Sequence, residues 1–95
     1  MAGEHLSDVD FLLAMVRHFG PKRSAQVIGT CIVWQLMGAR TYREIERLEL
    51  GERSTWYRLR ADLKGFREYL VTLGDEPEEL DALRLRVARA GRLAA

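Results

Sequence analysis

Side chains able to do covalent or acid–base chemistry are few in this sequence and poorly spaced for it. Cys31 is the single cysteine, and it stands inside the apolar run VIGTCIVWQLM. A thiol in that setting behaves as a small hydrophobe, and one thiol makes neither an internal disulfide nor a multi-thiolate zinc site. His5 and His18 lie thirteen residues apart, the first close to a fraying end. Carboxylates cluster in residues 75–81, where helix capping accounts for them. Glycines occur singly and form no phosphate-cradling loop. The expectation is a protein with no catalytic residues, no metal, no cofactor and no small-molecule ligand.

Arginine is the side chain with chemistry to offer. Thirteen of the fifteen cations are arginine, and the net charge of +1 hides their segregation. Arg53, Arg58, Arg60 and Lys64 stand against Glu52 and Asp62; residues 75–81 carry only negative charge, and residues 84–92 only positive. Such local patches set the electrostatics more than the total does. A guanidinium donates twice to a phosphate or to a guanine edge, so the arrangement of these residues matters more than their number.

The elements that must position them read as helices. Ser7 with Asp10 three residues on is a capping pattern ahead of Phe11, Leu12, Leu13, Met15 and Val16. Gly20-Pro21 ends that helix and starts a second, over about residues 22–38. In it Ile28, Cys31, Ile32 and Leu36 line one side and Val27, Trp34 and Met37 another. Thr41 and Glu44 form a capping box, each side chain accepting from the other's N–H, for a short helix over about 42–49 with Ile45 and Leu48 inward. Leu50-Gly51 reads as a tight turn.

The longest periodic segment follows, at about residues 53–73. Trp56, Leu59, Leu63, Phe66, Leu70 and Leu73 make an apolar stripe along one helix face, and Gly74 is its stop. Asp75, Pro77, Glu78 and Glu79 then open a last helix, about 76–93, with Arg84, Arg86, Arg89 and Arg92 as solvated dipole partners near its C-terminus. No alternating run is long enough for a sheet. The class is all-α with about five helices.

Two helices joined by a short turn cross steeply and leave the outer face of the second projecting. With the stripe inward, that face carries Arg53, Ser54, Tyr57, Ala61 and Lys64, with Arg58 on its flank. An exposed helix fits the major groove of B-DNA, where arginine reads guanine and serine, tyrosine and lysine suit phosphates or base edges.

The stretch TYREIERLELGERSTWYRL resembles the helix-turn-helix of bacterial and phage transcription regulators and recombinase DNA-binding domains. Thr41, Tyr42, Glu44 and Ile45 match the opening of that superfamily's motif; Ser54, Thr55, Trp56, Arg58 and Leu59 match its recognition helix. The resemblance implies Trp56 and Leu59 in the core, with Arg53, Ser54, Tyr57 and Arg58 toward the groove. Glu46 departs from the pattern, standing where the family usually has alanine, and so does Leu50 before Gly51.

These readings combine into one helix-turn-helix domain over residues 1–95, its motif at about 41–64, as a tri-helical core flanked by N- and C-terminal helices. The expected partner is double-stranded DNA, contacted by Arg53, Ser54, Tyr57, Arg58, Ala61 and Lys64 with Arg43 from the preceding helix. The expected role is that of a small regulator of transcription. No run of about 18 apolar residues or basic-then-apolar leader stands in the sequence, so a cytoplasmic protein with no membrane partner is expected. A homodimer is expected too, through surplus apolar residues of the second helix or the Leu80, Leu83, Val87, Ala90, Ala94 seam of the last. The competing reading is a protein-interaction module, antitoxin-like or phage host-interacting, that sets the same basic helix against an acidic protein.

Overall fold

The computed structural model describes residues 5–47 and 53–93. Among them are five helices, α1 (Asp8–Phe19), α2 (Pro21–Leu36), α3 (Tyr42–Arg47), α4 (Arg53–Thr72) and α5 (Leu80–Leu93), and no strand. The all-α class with about five helices is therefore observed. No described helix is long and apolar enough to cross a membrane. The turn at Leu50-Gly51, Leu48 and Ala94 lie outside the described residues.

Local chemistry fixes the helix ends. Ser7 caps α1, its Oγ accepting from the Asp10 N–H at 3.2 Å. Gly20, at φ 81°, closes α1 and leads into Pro21, whose missing N–H is no loss in the first turn of α2. Gly74, at φ 86°, ends α4, and the Asp75 N–H returns to the Leu70 carbonyl at 3.0 Å. At α3 the Glu44 N–H reaches Thr41 Oγ1 at 3.3 Å, as a capping box requires. The return bond comes first from the Arg40 N–H, one residue earlier than expected, and it holds the Glu44 carboxyl below its usual range.

The core is built chiefly by α1, α2, α4 and α5. Phe11 meets Phe66 edge-on with ring centroids 5.4 Å apart, and Met15, Val27, Cys31, Trp34, Leu59, Leu63, Leu70, Leu83 and Val87 close around them. The tightest partnership is α5 along α2. A Cβ on Gly91 would come within 2.4 Å of Ile28 Cγ2, so a side chain there would separate the two helices. The last helix is thus a central element, and Leu83, Val87 and Ala90 of its seam are consumed inside the fold.

Four expectations are corrected here. The last helix begins at Leu80, four residues later than the sequence suggested, because Pro77 disfavours helical backbone at Glu76 and Asp75 is drawn inward. Arg84 and Arg86 are buried, not solvated. Leu36, grouped with Cys31 on one side of α2, is 68% exposed, because α2 turns Val27, Cys31 and Trp34 inward and Leu36 lies on the opposite side of the helix from Val27. Leu73 is exposed as well, since α4 ends one residue before it.

Arg84 donates to the Ala39 carbonyl at 3.2 Å, tying α5 to the end of α2. Arg86 is the centre of a larger cluster. Its guanidinium donates to both Asp75 oxygens at 3.0 and 2.9 Å, to Glu78 Oε1 at 3.0 Å and to the Leu6 carbonyl at 3.3 Å, and lies over the Phe11 ring. Burial alone would raise the Asp75 carboxyl; the bonds from Arg86, the Leu6 N–H and His5 outweigh it and hold the group at about 2. Burial likewise disfavours the Arg86 cation, and Asp75 and Glu78 more than offset it. His5, expected in a frayed end, is held at 2.9 Å from Asp75. The acidic segment after α4 therefore clasps an arginine instead of capping a helix.

Candidate functional site

The site is the solvent side of α4, and its geometry follows from the helix's other side. Leu59, Leu63, Phe66 and Leu70 are sealed against the core, and Trp56 is half-buried beside them. With that stripe inward, Arg53, Ser54, Tyr57, Arg58, Ala61 and Lys64 are all exposed, and so is Arg43 on α3. Every residue assigned to the interface from the sequence is on the surface.

Not all of them share one neighbourhood. Tyr57, Ala61 and Lys64 line one groove, together with Arg60 and Arg67 of α4 and with Glu79, Leu80 and Asp81 across it. Ala61 puts only a methyl group between Tyr57 and Lys64 and leaves that part of the groove open. Tyr57, 53% exposed, stands edge-on to Trp56 with centroids 4.5 Å apart, which limits its rotamers and leaves the phenol facing outward. Arg53 lies toward the start of the helix, 3.5 Å from Glu46 of α3 in an exposed pair. A solvated pair of this kind is weak and easily exchanged for another anion.

Arg60 and Arg67 went unassigned in the sequence, although the signal was present. Tyr57, Arg60, Ala61, Lys64 and Arg67 follow at steps of three, one, three and three, which is one helix face. Arg60 lies 5.8 Å from the centre of the Trp56 ring, so its cation is supported by the same indole that anchors the helix. Arg67 is tied down, its Nη1 donating to the Glu78 carbonyl at 3.4 Å.

The one carboxylate on this part of α4 is neutralised from behind. Asp62 is paired with Arg23, in the first turn of α2. That bridge leaves the cations of α4 less compensated than the sequence suggests. Against this, Glu79 and Asp81 set an acidic rim on the α5 side of the groove.

Elsewhere, His5, Asp75 and Glu78 bring ligand atoms within 4.8 Å of one another. The Arg86 guanidinium already makes the bonds to Asp75 and Glu78 that a metal cation would make there, so the cluster reads as a clasp and not as a metal centre. Cys31 is sealed in the core, and burial pushes its thiol up to about 12, where it is protonated and inert. Compared with protein-family models, curated proteins and solved structures, the chain gives no match.

Proposed function

We propose that the protein binds duplex DNA by laying the first half of α4 in the major groove, as a small regulator of transcription. The observation that carries this reading is the division of α4 into a sealed apolar side and an exposed side of cations and small polar groups. Arg53, Ser54 and Arg58 sit at the leading end, where a recognition helix meets base edges. Tyr57, Ala61 and Lys64 continue along the groove, and Arg43 of α3 and Arg60 supply phosphate contacts at its sides. In this role the protein binds and does no chemistry.

One observation favours the competing reading, a basic helix that docks an acidic protein. Glu79 and Asp81 already line the far side of the groove bearing Tyr57 and Lys64, so an acidic segment lies along this face in the folded chain. The two readings part on one experiment. Selection from random duplex oligonucleotides enriches a sequence if α4 reads bases, and Arg53→Ala or Arg58→Ala then weakens binding to it by about 1–3 kcal/mol at fixed salt. No enrichment, or full affinity in both variants, removes α4 from the groove.

A further inference from the structure

Helix α1 buries Phe11, Ala14 and Met15, yet its opposite side is also apolar: Val9, Leu13 and Val16 are 67%, 46% and 42% exposed. At 100° per residue these three fall within about 60° of arc, a continuous stripe two turns long that the fold leaves uncovered. The charges beside the stripe are ordered. Asp10 and Arg17 lie within about 20° of each other on the same flank, Asp10 about 4.5 Å before Leu13 and Arg17 about 6 Å after it. Both are exposed, and neither pairs with another described residue.

We infer that α1 is a self-complementary surface and that its partner is a second copy of this chain, packed antiparallel across a two-fold axis at Leu13. Such an axis keeps each residue on its own flank and reverses its height along the helix. Val9 then faces the partner's Val16, Leu13 meets its own counterpart, and Asp10 faces the partner's Arg17, twice over by symmetry. The exposed end of α2, with Val33, Leu36 and Met37, has no such match. Helix α2 contains no carboxylate, so two copies packed through it have no charge pair to exchange. The α1 stripe is small beside the roughly 800 Å² per partner of a standard interface, so the dimer is a weak one.

Sedimentation velocity without DNA, from about 5 to about 500 μM as so small an interface demands, tests this independently of any nucleic-acid role. The mass rises from 10.9 kDa toward twice that value. Asp10→Arg and Arg17→Asp each weaken dimerisation roughly tenfold by setting like charges face to face, and the double variant regains the wild-type constant within about threefold. Within one chain the double reversal opposes the helix dipole at both ends, so a merely local role makes it worse than either single change. Leu13→Gln abolishes the dimer while circular dichroism stays unchanged. A monomer throughout, a dimer none of these variants alters, or a double variant weaker than both singles overturns the assignment.

Discussion

Replacing Arg86 by methionine keeps an apolar stem of similar length and deletes the cation that lies over Phe11. Asp75, its side chain 1% exposed, is left with the Leu6 N–H and His5 as partners. Removing one member of a buried ion pair typically costs about 3–5 kcal/mol, because the other charge stays desolvated. For 95 residues, with an unfolding entropy of about 2.1 cal/mol/K each, that loss lowers the melting temperature by about 15–25 °C. The variant also has a pH signature. In the native protein the Asp75 carboxyl titrates at about 2 instead of 3.8, so its contribution is complete above pH 3.8 and lost as pH falls through about 2. Linkage makes that contribution about 2 kcal/mol. Without Arg86, burial raises the carboxyl, and this limb flattens or reverses. Urea unfolding of both proteins at pH 7, 4 and 2.5 measures the difference. A variant within about 1 kcal/mol of the parent at pH 7, or one with the same acid limb, would refute the clasp.

The α2–α5 contact predicts that Gly91→Ala destabilises by about 1–3 kcal/mol, since its Cβ meets Ile28 Cγ2 at 2.4 Å. Gly65→Ala, whose nearest neighbour is His18 Nε2 at 3.8 Å, is neutral or stabilising by up to about 1 kcal/mol from helix propensity; equal effects at the two glycines in thermal melts would contradict the packing. Cys31 should resist alkylation in the folded protein at pH 8 and react fully in urea, and rapid native labelling would mean the core is open there. Leu59→Ala, at a position 2% exposed, should cost about 2–5 kcal/mol, and an unchanged melting temperature would turn α4 the other way round.

The periodic parts of this chain were legible without coordinates. The stripe through Leu59, Leu63, Phe66 and Leu70 dictated which side of α4 faces outward, and the exposed set follows from it at 100° per residue. Caps at Ser7 and Thr41 and stops at Gly20 and Gly74 were equally readable, because each acts within a few residues. What sequence reasoning missed acts over distance. Arg84 and Arg86 look like dipole partners on a basic helix, and only the approach of Ala39 to the first, and of Asp75, Glu78 and Leu6 to the second, supplies the bonds that let each arginine be buried. Arg23 shows the same limit, its partner Asp62 lying 39 residues along the chain. The exposed side of α1 was hidden for a different reason. An apolar residue in a helix announces burial, but not whether the fold has enough partners to cover every side.

The central claim is that the exposed side of α4 engages duplex DNA, and the salt dependence of binding to a random-sequence duplex tests it most directly. A helix whose cations neutralise about four phosphates gives a slope of log K against log salt near −3.6, and removal of one contacting residue, as in Lys64→Ala, makes the slope about one unit shallower. Binding that strengthens steeply as salt is lowered, with a shallower slope for Lys64→Ala, is the predicted result. No measurable binding at about 50 mM salt, or a slope that Lys64→Ala and Arg60→Ala leave unchanged, would contradict it.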